Sequence, residues 1–301
     1  MQPMYYILLL ITSMLWGGNF VSGKFLVPHA SPLLLTELRW VIAVLCLLPY
    51  VWWKEKSLSF PKQALWPLIL MGLTGVLLFN FFLFLALDHT SADNVGLLST
   101  LNPISIAIAS FFLLKERLNK QQIMGMVLSL GGVLIVMTHG DISRVLHLHF
   151  NIGDVYMIIA VIIWGLYSIA SKKAMEYVSP FKSTLWSGIF GVFMTLPFTL
   201  SSMTIQHAGT HFYIALLYSS VGATALATIL WNIGVQKVGG TKSGIFLNFN
   251  PIFTAILAFF LLGETLNTAQ LFGSILVIGG VYLFTVKPLK RAKRTYVHSK
   301  G

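Results

Sequence analysis

Apolar residues fill ten stretches of about twenty positions each, and the polar residues are gathered into short breaks between them. The stretches run over 4–23, 33–53, 65–87, 94–114, 121–139, 153–171, 183–201, 212–235, 242–262 and 268–286. A helix rises 1.5 Å per residue, so about 20 apolar residues cross about 30 Å of hydrocarbon. The pattern predicts an all-α polytopic membrane protein with ten transmembrane helices. The breaks leave no room for a soluble catalytic or sensing domain.

The stretches repeat. Leu98 to Leu118, LSTLNPISIAIASFFLLKERL, returns 148 residues later at Phe246 to Leu266 as FLNFNPIFTAILAFFLLGETL. At the same offset Trp16-Gly17 matches Trp164-Gly165, Lys24 matches Lys172, Ser31-Pro32 matches Ser179-Pro180, and Pro49 matches Pro197. Between Asn102 and Val133, 18 of 32 positions are identical to their counterparts without a gap. Each half holds five spans, an odd number, so the second half enters the membrane from the opposite face. The predicted organisation is two inverted five-helix repeats, 5–139 and 153–287, followed by a basic tail, 288–301.

Both copies carry an Asn-Pro pair inside an apolar span, Asn102-Pro103 and Asn250-Pro251. Proline lacks the N–H that bonds the carbonyl four residues back, which leaves Ser99 and Leu247 as the expected orphans. In hydrocarbon such a break is tolerated only against neighbouring helices or a cavity, so Pro103 and Pro251 mark helix breaks that point inward. Broken helices at matching places in two halves point to a transporter binding site.

Composition agrees, with 56% hydrophobic and 10% charged residues, against about 25% charged in a soluble domain. The net charge of +11 is distributed by topology rather than by a nucleic-acid patch. Of 20 Lys and Arg, 17 fall in alternate loops and the tail, two (Lys24 and Arg144) in the others, and Arg39 lies within the second span. The positive-inside rule then places both termini in the cytoplasm of a multi-pass plasma-membrane protein. No positive residue precedes the first run and no A-x-A site follows it, so it is expected to be retained. The single cysteine, Cys46, permits no internal disulfide.

Ten spans, two five-helix halves, the W-G of the first helix in each half, the N-P followed by F-F-L-L-x-E-x-L, and a closing G-G helix resemble the EamA-type members of the drug/metabolite transporter superfamily. The resemblance covers about residues 5 to 287. It implies a central cavity built from the first, third, fourth, sixth, eighth and ninth helices. It also implies an exporter of amino acids or related neutral or zwitterionic metabolites.

Polar and aromatic side chains within those spans are the candidate substrate contacts. Positions three and four apart share a helix face, which groups Trp16 with Asn19 and Trp164 with Tyr167. Asn80 and Phe84 come from the third helix, Trp231 and Asn232 from the eighth. Asn102 and Asn250 come from the broken helices, and Ser99 and Asn248 can join them. The alternative is that these groups tie helices together, at about 0.6 kcal/mol per interhelical bond. Trp52, Trp53 and Trp66 suit an interfacial belt. The glycine pairs 131–132 and 279–280 suit close helix packing in a scaffold of the fifth and tenth helices. Glu116 and Glu264 are expected as terminal anchors.

Glu37 is the candidate for proton coupling. It lies five residues into the second span, shallow enough to reach the interface, and facilitated, gradient-following export is expected. The histidines at 147, 149, 207 and 211 have no accompanying carboxylate or thiol cluster, so no metal and no cofactor is expected. No H-E-x-x-H, G-x-S-x-G or D-D-x-x-D occurs, which makes a membrane-embedded enzyme the weakest reading. A channel or lipid scramblase stands second to a carrier. The predicted partners are a small-molecule substrate and the bilayer, with no nucleic acid, and monomer and homodimer both remain open. The expected mechanism is alternating access about a midplane site where the two Asn-Pro helices meet.

Overall fold

The structure, a computed structural model, describes residues 2–90, 92–141, 143, 151–200, 204–263 and 265–286. Ten membrane-length helices are found among them. They are α1 (Gln2–Leu26), α2 (Pro32–Glu55), α3 (Lys62–His89), α4 in two pieces (Ala92–Ser99 and Asn102–Leu114), α5 (Lys120–Thr138), α6 (Ile152–Ala174), α7 (Pro180–Thr199), α8 (Thr210–Val238), α9 (Gly240–Leu262) and α10 (Thr268–Thr285). All except α7 meet the length and hydropathy of a membrane span, and α7 is 20 residues long. Arg144, His147, His149, Glu264 and the basic tail lie outside the described residues.

The repeat in the sequence becomes a repeat in how helices start. Ser31 and Ser179 cap α2 and α7, each hydroxyl accepting from the backbone N–H three residues on, with proline at the first helical position where its missing N–H costs nothing. Asn119 with Gln122 and Asn267 with Gln270 form matching capping boxes at α5 and α10. Equivalent residues thus set equivalent helix ends in both halves.

The Asn-Pro pairs act differently from the expectation of an orphaned carbonyl. In α4 the backbone tightens into 3₁₀ bonds, Thr100 N–H to Leu97 O and Leu101 N–H to Leu98 O, and a fresh helix begins at Asn102. In α9 a 3₁₀ segment, Ile245–Phe249, does the same before a fresh helix at Asn250. Each proline therefore sits in a first turn. The Leu247 carbonyl, expected to be free, accepts from the Asn250 N–H, and the Phe246 carbonyl accepts from the Ser13 hydroxyl of α1 at 2.7 Å.

Helices α5 and α10 pack along their length through glycines. A Cβ added at Gly132 would lie 2.6 Å from the Gly273 carbonyl oxygen, and one at Gly280 would lie 2.6 Å from that of Gly125. At the offset of 148, Gly125 corresponds to Gly273 and Gly132 to Gly280, so the contact maps onto itself when the halves are exchanged. That is the signature of a pseudo-twofold axis. The pairs expected from sequence contribute one glycine each, because Gly131 has nothing within 4 Å and Gly279 only Leu128 Cδ2 at 4.0 Å.

Alternate connections gather at opposite ends. At one end, Gln206 N–H donates to His29 O and Thr90 Oγ1 donates to Asp154. At the other, Lys182 pairs with Glu55 at 3.2 Å and Lys172 pairs with Glu116. These are called the Lys24 end and the Lys172 end below. Trp52, Trp53 and Trp66 are exposed on the outer surface, as a belt requires.

Candidate functional site

Trp16 and Trp164 are repeat equivalents, and their rings meet edge-on at 5.5 Å. A residue in contact with its own equivalent lies on the axis that exchanges the halves. In an inverted repeat that axis lies in the membrane plane, so the pair sits at mid-depth. Trp231 of α8 closes on both, at 5.5 Å from Trp16 and 6.0 Å from Trp164. Phe79 and Tyr167 flank Trp164 at 5.1 and 4.9 Å. The neighbouring glycines make this cage reachable. Gly17 lets α9 approach α1, with Asn250 O and Thr254 N each 3.0 Å from where its Cβ would be, and Gly165 lets α4 approach α6 through Ser105.

Two of the three indoles keep an unused donor. Trp16 Nε1 donates to Ala223 O at 2.9 Å. Trp164 Nε1 and Trp231 Nε1 are buried without an acceptor among the described residues. A buried donor without a partner costs about 1–3 kcal/mol, so a polar ligand in the cage would be stabilised by meeting it.

The other candidates fall into three groups. Tyr167, Asn232 and Thr184 form a chain beside the cage, Tyr167 OH donating to Asn232 Oδ1 at 3.4 Å and Asn232 Nδ2 donating to Thr184 Oγ1 at 2.9 Å. Asn102 and Asn250 each hold a buried Oδ1 with no partner, but no bond joins them among the described residues. The tryptophan pair lies on the axis, with α9 against α1 at Gly17 and α4 against α6 at Gly165 beside it. The remaining side chains serve the helices. Ser99 donates to Gly96 O within its own helix, Asn248 Nδ2 donates to Ser129 Oγ of α5, and Asn80 Nδ2 donates to Val76 O. Phe84 makes no ring contact among the described residues, and Phe79 is the third-helix ring beside Trp164.

Two elements at the site were missed in the sequence. Gly72–Leu78 of α3 and Tyr218–Leu226 of α8 are π-helical, at equivalent places in the repeats. A π turn shifts carbonyls out of the i→i−4 ladder; here Ala223 O accepts Trp16 Nε1 and Gly75 and Val76 face Asn80. The matching small-residue runs GLTG and SSVGAT were the available signal.

The two ends of the cage differ. Trp16, Phe20 and Gly23 share one face of α1, and their equivalents Trp164, Ser168 and Ser171 share one face of α6. Phe20 is 57% exposed and nothing lies within 4 Å of a Cβ at Gly23, whereas Ser168 and Ser171 are 0% exposed. Helix α9 covers the latter end, with Thr241 Oγ1 donating to Glu116, Lys172 paired with the same carboxylate, and Gly240 and Gly244 against Ser110 and Ile106. The counterpart of Gly244, Gly96, turns instead to Met137 of α5. The Lys172 end is packed shut by α9, and the face of α1 beyond Trp16 toward the Lys24 end is less tightly packed. Glu116, expected to be a terminal anchor, joins the two repeats.

The EamA-like transporter family matches twice, at residues 3–138 and 151–286. The chain belongs to that family. Two Bacillus subtilis proteins named as uncharacterized transporters are similar to it over nearly their whole length. YetK is 30% identical, covering 94% of this chain and 87% of its own, and YyaM is 29% identical, covering 92% of each. A WAT1-related chloroplastic protein of Arabidopsis thaliana is 23% identical, over 89% of this chain and 66% of its own. One solved crystal structure shares the fold, with a TM-score of 0.80 at 20% identity over 94% of this chain and 96% of that one.

In this EamA transporter, two ionisable side chains of α2 point different ways. Glu37 does not reach the interface as expected from its depth. It is buried, its oxygens have no hydrogen-bond partner among the described residues, and the adjoining Thr195 of α7 directs its hydroxyl to Gly191 O. Arg39 faces α8 and donates from Nε to Thr224 Oγ1 at 3.2 Å. Away from the cage, an apolar groove of about 370 Å³ opens between α4 and α6, lined by Ile108, Phe112, Leu113, Ile162 and Leu166 among others. Its walls suit a lipid acyl chain.

Proposed function

We propose that this EamA transporter is a plasma-membrane carrier that exports amino acids or related neutral or zwitterionic solutes by alternating access between its two inverted repeats. The observation that carries the reading is the aromatic cluster on the pseudo-twofold axis, with α9 packed across it at the Lys172 end. A site on the axis is equivalent from both sides, so exchanging the conformations of the two halves would open the Lys172 end and close the Lys24 end around the same residues. Aromatic faces and unpaired indole N–H groups suit a small solute with both apolar and polar parts. The scramblase alternative needs a polar path for headgroups, and the groove facing lipid between α4 and α6 is apolar. A channel would need a continuous route past Trp231, which is 0% exposed.

The 17-to-2 distribution of basic residues supports cytoplasmic termini, which places the Lys24 end outside. Orientation is tested in a Cys46→Ser background with single cysteines at Ser57, Ser143, Thr210 and Ser299. An impermeant thiol reagent on intact cells is expected to label 143 and 210 only, and the reverse pattern rejects the orientation. Function is tested by measuring efflux of the twenty protein amino acids from cells overproducing the protein, then saturable counterflow in proteoliposomes. Flux that does not saturate, or efflux no faster than in empty-vector cells, rejects the carrier reading.

A further inference from the structure

Arg39 is the eighth residue of α2, while every other described Lys or Arg in a membrane-length helix lies in a terminal turn. A cation at that depth is expensive unless it faces a partner or a water-filled cavity. Its own carboxylate neighbour in sequence, Glu37, is turned to α7, and no ion pair to Arg39 exists among the described residues. Guanidinium offers five N–H donors in a planar fork, and one of them, Nε–H, is used on Thr224. The guanidinium is packed inside the protein, and its donors other than Nε–H have no partner among the described residues.

A chain of hydrogen bonds links Arg39 through α8 to α1. Thr224 passes its own proton to Ser219 O, which leaves its oxygen free to accept from Arg39. Ser219 Oγ donates to Asn19 Oδ1, which leaves Asn19 Nδ2 as a further donor on the wall of α1. Thr224 and Trp231 are seven residues apart on one face of α8, two turns or about 10 Å. Trp16 Nε1 donates to Ala223 O, the residue before Thr224, so the cluster lies beside Trp16 on its Lys24 side.

We propose that Arg39, held by Thr224 and accompanied by Asn19, is a carboxylate-binding subsite of the central cage, and that the transported solute carries a free carboxylate. This rests on the carrier reading above and narrows its substrate class. A planar carboxylate accepts two parallel N–H bonds from guanidinium. A phosphate dianion would need a second cation, and none lies this deep in a span. The carboxylate docks on Arg39 while the rest of the solute lies against the tryptophans.

The test is ligand-dependent thermal stabilisation of the purified protein by the twenty protein amino acids, each compared with its own carboxamide. The amide keeps size and shape and removes the charge. Amino acids that stabilise wild type are expected to do so at concentrations at least about tenfold lower than their amides. Arg39→Gln is expected to erase that preference and Arg39→Lys to keep part of it. Amides that stabilise as well as the acids, or an Arg39→Gln protein that still prefers the acids, overturn the subsite and leave the carrier reading intact. The comparison on wild type needs no variant to fold. If no compound of either series stabilises while the proteoliposomes still show saturable amino-acid counterflow, the subsite alone falls; if counterflow is also absent, both fall.

Discussion

At the scale of single residues, Asn102 and Asn250 separate stability from transport. Each keeps a buried side-chain oxygen without a donor, and removing an unsatisfied acceptor releases a desolvation penalty of about 1–3 kcal/mol rather than breaking a bond. Asn102→Ala and Asn250→Ala are therefore expected to accumulate in the membrane as wild type does, with an unchanged or raised thermal midpoint, while transport falls at least about tenfold. Two mutants that transport normally, or that fail only by failing to accumulate, would show the pair to be structural. Glu37 gives the opposite contrast. It faces α7 rather than the cage, so a proton bound there has no direct route to the substrate. Counterflow in proteoliposomes is expected to survive Glu37→Gln, and an imposed pH difference to drive no concentrative uptake in either protein. Uptake driven by the pH difference in wild type and lost in Glu37→Gln would make Glu37 the coupling residue.

At the scale of elements, the α5–α10 pair holds the halves together, and adjacent glycines in it differ completely. A side chain at Gly132 meets the backbone of α10 at 2.6 Å, and backbone cannot rotate away. Gly131 faces open space. Gly132→Leu is expected to prevent accumulation or lower the thermal midpoint by several degrees, since overpacking costs about 1–3 kcal/mol or more. Gly131→Ala is expected to be neutral or stabilising by up to about 1 kcal/mol, through helix propensity. Equal effects of the two, by midpoint in detergent, would reject the packed scaffold.

At the scale of the whole molecule, the proposed alternating access requires the closed Lys172 end to open. Gly240 on α9 and Ser110 on α4 belong to opposite repeats, and a Cβ at Gly240 would lie 3.4 Å from Ser110 Oγ. With Cys46→Ser, the pair Ser110→Cys and Gly240→Cys is expected to cross-link under oxidant, stop transport, and recover on reduction. Undiminished transport by fully cross-linked protein would mean that this end does not move. The carboxylate of Glu116, shared by Lys172 and Thr241, is the other tie across the same boundary.

Much of this was legible in the chain. Membrane spans are read directly because hydrocarbon demands long apolar helices with every backbone group satisfied. The constant offset of 148 gave the two halves, and an odd number of spans gave their inversion. Trp16 and Trp164 could be named because they stand at matching places in the first helix of each half, and Trp231 because it adjoins Asn232 in the eighth span. Their meeting could not be read, because contact between positions 148 residues apart depends on how ten helices pack. The same limit explains the glycines. Sequence shows Gly131 and Gly132 side by side, and only the rotation of α5 against α10 decides which one touches. Ser99, Asn80 and Asn248 were polar groups in apolar spans, and the fold pairs their donors with backbone and scaffold while leaving Asn248 Oδ1 buried without a partner. Sequence determined the membrane, the repeat and the list of polar groups; packing about the axis decided which groups gather around Trp16 and Trp164, that α9 covers the Lys172 end, and that Arg39 and Glu37, two residues apart, look in different directions.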